Sequence, residues 1–324
     1  MFGGGNGKDK YKKGNDWIPN AGADVLGNAT TLLTGGYIHE AYGGSNEKGT
    51  IGGTISFNTD ADPTCDCLLD LRKIVSSGKN AEVWGDIITV LGCQPEAPVV
   101  EYIGGADNAD VHGNVELTIT SGTFGKVFGG NNIGGVIEGH IKVNIEETGC
   151  RPIVIGGLYG CGNDAAYSVY GYKLENGELV PRTSMDDGTA ANPPTTPYSG
   201  TQLYADPEVN VISCTRIGQV FGGGLGEHGT VWGNPTVNIN QIYGKAYSDE
   251  AKTQYDAVAT SLGEIGDVFG GGNKANVVGN THVNIGTLSK VKLHQNYDKT
   301  NGYSMSGDNK LRSEERRVGK ECRS

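Results

Sequence analysis

The sequence is poor in aromatic residues, in positive charge and in long apolar runs, and each shortage excludes a class of protein. Aromatic residues make up 7% and hydrophobic residues 36% of the 324 residues, so any core is lean. No stretch approaches the roughly 20 consecutive apolar residues of a membrane-spanning helix. The formal net charge of −11 argues against a nucleic-acid partner, because phosphate backbones attract basic surfaces.

Glycine is the residue that the sequence has in excess, with 54 copies. Each glycine inside a helix costs roughly 1 kcal/mol relative to alanine, so a helix-rich fold is disfavoured. The glycines do not recur at every third position, which excludes collagen. The length allows one large domain or two ordinary domains with a sizeable core.

Both ends of the sequence differ from its body. Residues 312–324 are dense in charge and resemble the translation of a sequencing adapter, so we interpret them as a non-native, disordered tail. The first residues open inside a motif that recurs later, with neither the basic nor the apolar region of a signal peptide. We therefore interpret residues 1–311 as a single repeat domain and as a fragment of a longer open reading frame.

Two short motifs recur in a fixed order, which is the signature of a repeat protein. The first motif is an aromatic or apolar residue followed by two small residues, mostly glycines, and often by asparagine. Its first position is occupied by Phe2, Tyr42, Ile103, Phe128, Tyr159, Phe221 and Phe269. The second motif reads apolar-x-Gly and precedes an alternating apolar pair, as in 111–119. Its glycines are 26, 32, 28 and 26 residues apart between Gly27 and Gly139, so the minimal unit has 26 residues.

A unit of this length has room for three short strands and their corners. The alternating pairs predict strands, and the glycines and asparagines predict bends with positive φ. Each unit can bury its inward face only against its neighbours, so the pattern predicts an all-β fold, a parallel β-solenoid with coils about 4.8 Å apart. The seven first-motif residues would form an inward-facing structural ladder, and the asparagines would form an amide ladder. A β-propeller is disfavoured because its blades need roughly 40 to 50 residues.

Three insertions interrupt the repeat, at about 58–80, 163–207 and 242–262. Residues 65–75 have helical spacing, and residues 249–260 predict a second short helix. Insertions that leave the corners of a solenoid commonly form its binding face. Tyrosines of the second and third insertions are candidate ligand contacts, although packing of the insertions onto the solenoid explains them equally well. These tyrosines are Tyr167, Tyr170, Tyr172, Tyr198, Tyr204, Tyr243 and Tyr247.

Residues 268–285, VFGGGNKANVVGNTHVNI, resemble the glycine-rich repeats of large secreted, adhesin-like proteins of gut bacteria. The resemblance covers most of residues 1–311 apart from the insertions. It implies a right-handed parallel β-helix that serves as a stalk, in an extracellular or cell-surface location. It transfers no catalytic residues, so we assign no catalytic, cofactor-binding or metal-binding residue and no cofactor.

The cysteines leave several pairings open. Outside the tail they are Cys65, Cys67, Cys93, Cys150, Cys161 and Cys214. An even number in an extracellular protein permits disulfides, for example Cys93 with Cys65 or Cys67, or Cys161 with Cys150 or Cys214. The alternative is that they are free buried thiols, since cysteine packs like a small hydrophobic residue.

Acidic residues and histidines show no convergent pattern. Asp60, Asp62 and Asp66 lie together in the first insertion without a known calcium-binding spacing, which indicates a solvated acidic loop. Acids near the second motif, at 24, 86 and 110, do not share one phase of the repeat. The six histidines also fall at different phases, which indicates surface positions.

The sequence therefore favours a structural or adhesive segment of a bacterial cell-surface or secreted protein, and not an enzyme. Its insertions would bind host or microbial glycans or surface proteins. One alternative is a carbohydrate-active β-helix enzyme, a polysaccharide lyase or hydrolase, which would need carboxylates converging on a groove. Another is a passive stalk. Open solenoid ends also predict end-to-end self-association.

Overall fold

The computed structural model describes residues 1–8, 11–18, 22–61, 69–93, 97–148, 150–168, 172–175, 178–181, 206–243, 263–285, 297–298 and 302–303. These residues form strands, bridges, turns and bends, and none of them is helical, which confirms the all-β prediction. Among them there is accordingly no helix long and apolar enough to cross a bilayer. The tail at 312–324 lies outside the described residues, and its separation from a domain at 1–311 stays a prediction.

The strands are β1 (Tyr11–Lys13), β2 (Asp16–Ile18), β3 (Ala29–Leu33), β4 (Gly36–Tyr42), β5 (Ile55–Thr59), β6 (Leu69–Val75), β7 (Ile87–Leu91), β8 (Val99–Ile103), β9 (Val115–Ile119), β10 (Gly122–Phe128), β11 (Ile141–Glu146), β12 (Ile153–Tyr159), β13 (Tyr167–Ser168), β14 (Tyr172–Glu175), β15 (Glu178–Pro181), β16 (Glu208–Cys214), β17 (Arg216–Phe221), β18 (Val231–Trp232), β19 (Thr236–Tyr243), β20 (Glu264–Phe269), β21 (Val277–Val278), β22 (His282–Ile285), β23 (Tyr297–Asp298) and β24 (Gly302–Tyr303).

Successive coils of the chain stack on one another and form three parallel sides. The eight-stranded side runs β3-β5-β7-β9-β11-β16-β19-β22, and the seven-stranded side runs β4-β6-β8-β10-β12-β17-β20. The short side consists of bridges between the second motifs of neighbouring coils, followed by the sheet β13-β18-β21. In each side the spatial neighbour of a strand comes from the coil before or after it. The predicted parallel β-solenoid is therefore confirmed, while its right-handed winding stays an expectation from the resemblance.

The coils superpose residue on residue, and this register builds one continuous core. On β7 and β9, for example, Ile87 pairs with Val115 and Leu91 with Ile119. Inward and outward positions alternate along these strands, as the period-2 pattern predicts. All four of these side chains are at most 1% exposed. Full burial of one such side chain contributes roughly 1.5–3 kcal/mol, so the stacked aliphatic residues supply the main favourable term.

The predicted helix at 65–75 is wrong in its described part, because β6 is a strand of the seven-stranded side and pairs with β4 and β8. Leu69, Leu71 and Ile74 are buried, whereas Arg72 and Lys73 both remain partly exposed. The alternation of burial breaks after Leu71, because two consecutive residues, Arg72 and Lys73, are partly exposed before burial resumes at Ile74. This break changes the apolar spacing from two residues to three, which imitates a helix. The second predicted helix, at 249–260, lies outside the described residues.

The three predicted insertions are shorter than expected. Residues 58–59 belong to β5, residues 69–75 to β6 and residues 242–243 to β19. The second insertion begins with a short-side strand, β13, and continues with the antiparallel pair β14 and β15. Parts of the chain that the sequence analysis assigned to lateral loops therefore belong to the strands of the repeat.

Several motif glycines are needed for close stacking and not for positive φ, although Gly279 of the last second motif has a φ of 137°. A Cβ on Gly113 would lie 2.2 Å from the carbonyl oxygen of Gly85, and one on Gly139 would lie 2.3 Å from that of Gly113. In the first motif, a Cβ on Gly129 would lie 2.4 Å from the oxygen of Gly160. None of these glycines is among those with positive φ. The explanation by positive φ is wrong at these positions, because backbone touches backbone there and leaves no room for a side chain.

A disulfide joins Cys93 to Cys150, with 5.6 Å between the Cα atoms and a sequence separation of 57. Cys93 follows β7 and Cys150 precedes β12, so the bond links two coils that are not neighbours. Ser121 of the intervening coil lies beside it, with its Oγ 3.2 Å from Sγ of Cys150. The predicted pairings are wrong, since Cys161 and Cys214 are free and buried. Cys65 and Cys67 lie outside the described residues.

Candidate functional site

The seven ladder residues lie at the ends of the seven-stranded side and at its N-terminal edge. Except for Ile103, they are aromatic, and their rings stack face to face in two runs, with centroids 4.7 Å apart for Phe2 and Tyr42 and 4.8 Å apart for Phe128 and Tyr159. The stack continues from Tyr159 to Phe221 at 4.9 Å and from Phe221 to Phe269 at 4.8 Å. These residues therefore serve packing between coils.

The sequence analysis expected the ladder to point into the main core. In the structure it does not. Tyr42, Ile103, Phe128, Tyr159 and Phe221 form a separate buried cluster. The residue before each of them belongs to the main core, and consecutive strand residues point to opposite faces. Val75 completes this cluster on the coil between Tyr42 and Ile103. The sequence analysis missed it because Ser76 and Ser77 follow it where other copies have glycines.

The predicted amide ladder forms only in part. Asn46 donates from Nδ2 to Oδ1 of Asn6 at 2.7 Å. Asn131 instead bonds to backbone groups, accepting from the N–H of Ala106 at 2.8 Å and donating to the carbonyl of Ala109 at 3.0 Å. A second ladder that the sequence analysis did not predict runs through Asn144, Asn210, Asn238 and Asn284, with Nδ2 to Oδ1 distances of 3.0, 2.9 and 2.8 Å.

The acids near the second motif fasten one coil to the next. Oδ1 of Asp24 accepts the backbone N–H of Thr50 at 2.9 Å, and Oδ1 of Asp110 accepts that of Val136 at 2.8 Å. Oδ1 of Asp86 accepts the backbone N–H of Asn114 at 2.8 Å. Asp24 and Asp110 share one phase of the repeat, which corrects the expectation that they do not. Their positions are explained by coil stacking.

The insertion tyrosines give no described ligand contact. Tyr167 is 1% exposed, and its hydroxyl donates to the carbonyl oxygen of Gly139 at 3.1 Å, so it is a core residue. Tyr172 and Tyr243 belong to β14 and β19, of which only the backbone is described there. The other four candidates, Tyr170, Tyr198, Tyr204 and Tyr247, lie outside the described residues.

No metal site forms in the described part of the chain, where no group of three or more His, Cys, Asp or Glu side chains could hold an ion. Asp60 of the predicted acidic loop is exposed. Asp62 and Asp66 lie outside the described residues.

The short side carries a column of side chains that combines an exposed aromatic ring with a histidine and carboxylates. The column is the middle position of the second motif on five successive coils. Its members are Leu26, Gly52, Trp84, His112 and Glu138. Backbone hydrogen bonds hold this register, for example from the N–H of Trp84 to the oxygen of Ile51 at 2.9 Å and from that of His112 to the oxygen of Val83 at 2.8 Å.

His112 lies between an indole ring and two carboxylates. Its ring stacks on that of Trp84 with centroids 3.9 Å apart and an interplanar angle of 21°. Nδ1 lies 2.9 Å from Oε2 of Glu138, and Nε2 lies 3.9 Å from Oε2 of Glu82. Burial lowers the pKa of His112, but the hydrogen bond to Glu138 and the charges of Glu138, Asp110 and Glu82 together raise it above its ordinary value. The site thus favours an imidazolium cation stacked on Trp84.

This cluster was missed by the sequence analysis, which placed the histidines on the surface. The His112 side chain is only 12% exposed, whereas Trp84 is 41% exposed. Trp84, His112 and Glu138 come from three different coils and are three different residue types. Only alignment of the coils by their second-motif glycines brings residues 84, 112 and 138 into one column.

A second acidic pair lies at the end of β11 and is closed to solvent. Glu146 is 5% exposed and Glu147 is 7% exposed. Oε2 of Glu147 accepts the N–H of Ile153 at 2.8 Å and the hydroxyl of Thr215 at 2.9 Å. Oε1 of Glu146 has no hydrogen-bond partner, and burial raises the pKa of Glu146 from 4.5 to about 7. Glu147 is therefore held by hydrogen bonds, while Glu146 resists ionisation.

The Glu146→Gln variant is expected to be more stable than the parent at about pH 8. Because the folded-state pKa of about 7 lies above the unfolded value of 4.5, the protonated carboxyl stabilises the fold at low pH. This contribution is lost as pH rises to about 7, a loss of at most about 3 kcal/mol. Glutamine stays neutral, so the variant should lose less stability between about pH 5 and about pH 8 in thermal melts. Glu116→Gln, at an exposed position of β9, is the control, and equal pH profiles for all three proteins would contradict this account.

No family model, curated protein or solved structure matches this chain. The fold alone therefore places it in a class, the three-sided parallel β-solenoids.

Proposed function

We propose that this chain is a structural and adhesive segment of a bacterial cell-surface or secreted protein. The observation that carries the proposal is the Trp84–His112 column, which offers an exposed ring beside carboxylates. Most other side chains described above serve the packing of one coil on the next. Exposed aromatic residues with polar neighbours are typical of recognition surfaces. The ligands would be host or microbial glycans or surface proteins, bound by the short side and by the lateral insertions.

The disulfide supports an extracellular location for the segment. Disulfides persist in oxidising compartments and are rare in the cytosol. The bond between Cys93 and Cys150 ties together two coils that are separated by a third, so it reinforces the scaffold. A reinforced scaffold suits a protein that works outside the cell.

The enzyme alternative has less support. A polysaccharide lyase or hydrolase needs two carboxylates that converge on an open groove. The carboxylates of Asp24, Asp86 and Asp110 accept backbone N–H groups of the next coil. Those of Glu146 and Glu147 are buried. We therefore propose binding without turnover, and a stalk without any ligand is the remaining alternative.

Binding of the purified chain to arrays of glycans and of bacterial and host surface proteins tests this proposal. We expect saturable binding to at least one class, and no product from acidic or neutral polysaccharides incubated with the protein. Turnover that is lost on an Asp→Asn substitution would instead assign an enzyme. A complete lack of binding would leave the passive stalk. End-to-end self-association also stays a prediction, which light scattering at increasing concentration would check.

A further inference from the structure

The column that contains Trp84 has a gap one coil wide. Leu26, Gly52 and Trp84 follow one another on three successive coils, and Gly52 has no side chain to fill the middle position. Parallel backbones stack about 4.8 Å apart, so Leu26 and Trp84 are separated by about 9.6 Å. Rings elsewhere in this solenoid stack 4.7–4.9 Å apart. The space above Gly52, which we call the slot, therefore fits one flat group between Trp84 and Leu26.

Both walls of the slot are accessible and its floor is bare backbone. Leu26 is 89% exposed and Trp84 is 41% exposed. A Cβ at Gly52 would have backbone atoms of Leu26 as its nearest neighbours, the closest being the carbonyl oxygen at 3.0 Å. A ligand that enters from solvent would thus meet the indole face on one side and the leucine on the other.

One carboxylate lies along the edge of the slot, and a second lies beside the other face of Trp84. Asp24, Thr50 and Glu82 occupy the position two residues before Leu26, Gly52 and Trp84 on the same three coils. Asp24 accepts both the N–H and the hydroxyl of Thr50, which holds its carboxylate at this edge. The Glu82 side chain is 50% exposed, and its Oε2 lies 3.9 Å from Nε2 of His112, beside the other face of Trp84. The chain as a whole has a net charge of −11, so this edge favours a cationic ligand.

The molecule already contains a chemical template for the ligand. On the opposite face of Trp84, the His112 ring stacks at 3.9 Å and lies between Glu82 and Glu138. A planar nitrogen-containing ring on an indole face with carboxylates at its edge is thus an arrangement that this column forms by itself. The slot offers the same elements on the open face, where Gly52 takes the place of a ring.

We propose that the slot binds the guanidinium group of an arginine side chain from a protein partner. This inference rests on the proposed function and names the ligand class for its short-side surface. Guanidinium is planar, stacks on aromatic faces and donates paired hydrogen bonds to carboxylates. A lysine ammonium is a compact point charge without a flat face, and a neutral sugar would leave the carboxylates without a counter-charge.

Fluorescence anisotropy of a labelled tri-arginine peptide, titrated with the full chain at low salt, tests the slot. Tri-lysine and tri-citrulline peptides are the matched controls, because citrulline keeps the planar shape without the charge. We expect tri-arginine to bind at least ~10-fold more tightly than either control. Equal affinity for tri-lysine or tri-citrulline would overturn the proposal. Displacement of the peptide by neutral gluco- or galacto-oligosaccharides would assign the slot to a sugar and also overturn it.

Variants locate the binding on the molecule. Trp84→Ala removes one wall and Gly52→Val fills the gap, so each should weaken tri-arginine binding ~10-fold. Trp17→Ala changes an indole that is 61% exposed and lies outside the column, and it should bind like the parent. Thermal melts of each variant establish whether it is folded. If Gly52→Val does not fold, the test of the slot rests on Trp84→Ala. Unchanged binding by folded Trp84→Ala would contradict the proposal.

The array experiment separates the two proposals. If Trp84→Ala retains every ligand of the parent chain, the slot is wrong and the adhesive function stands on another surface. If the parent chain binds neither the arrays nor tri-arginine, the adhesive function itself is wrong.

Discussion

Gly113→Ala is expected to lower the free energy of unfolding by more than about 4 kcal/mol or to prevent folding, whereas Gly27→Ala should change it by less than about 1 kcal/mol. The two glycines occupy the same position of the second motif, each two residues after the apolar residue that opens it. The Cβ of an alanine at 113 would lie 2.2 Å from the oxygen of Gly85 and 2.7 Å from the nitrogen of Asp86. At Gly27 no atom lies within 4 Å of the added Cβ.

The difference arises because this Cβ points toward the preceding coil. Two backbones that stack at the inter-coil distance cannot separate at one residue without loss of hydrogen bonds on both sides. Neither glycine has positive φ, so strain at the substituted residue itself is the same for both. Thermal and urea melts followed by circular dichroism measure the effect. Similar melts for the two variants would show that close stacking is not the reason for the repeated glycine.

Removal of the disulfide is expected to cost at most roughly 4 kcal/mol, because the bond closes a loop of 57 residues in the unfolded chain. The Cys93→Ala/Cys150→Ala double variant should therefore melt roughly 10 °C below the parent under oxidising conditions. Peptide mapping without reduction should yield Cys93 and Cys150 in one linked peptide pair.

A reductant supplies the matched control for this prediction. It should lower the melting temperature of the parent chain toward that of the double variant and leave the double variant unchanged. A further drop in the double variant would indicate that another bond, outside the described residues, carries the stability. Equal melting of the oxidised parent and the double variant would show that the stacked coils gain nothing from this bond.

The sequence predicts the architecture well because the same packing requirements recur at every coil of a solenoid. The second motif places one glycine where coils touch and one apolar pair where the core lies, and 26- to 32-residue spacing leaves room for three short strands. The error at β6 has a local cause. The alternation of buried and exposed residues breaks after Leu71 and shifts the inward position from 73 to 74, and the resulting apolar spacing resembles that of a helix.

The candidate site was much harder to predict than the fold. Trp84 and His112 each look like an isolated outward residue in their own coil, and their contact depends on the alignment of two units that differ in length. The gap at Gly52 is still less visible, because a glycine that leaves space for a ligand has the same letter as one that allows stacking. An added Cβ at Gly52 would also lie close to backbone, 3.0 Å from the oxygen of Leu26, so the gap becomes visible only when Leu26, Gly52 and Trp84 are aligned in one column.

The link between Cys93 and Cys150 also determines how the protein responds to a pulling force. Force along the solenoid axis loads the ladder hydrogen bonds one coil at a time, and a coil of about 26 residues that detaches would lengthen the chain by roughly 90 Å. The disulfide prevents this between its two cysteines, where 57 residues would otherwise add roughly 190 Å of slack. When a single molecule is stretched by its ends, its full extension should therefore be shorter by the length of those coils. A reductant should restore the full extension. If the segment is tethered between a cell and a surface, the coils between the two cysteines would thus not extend under a pulling force.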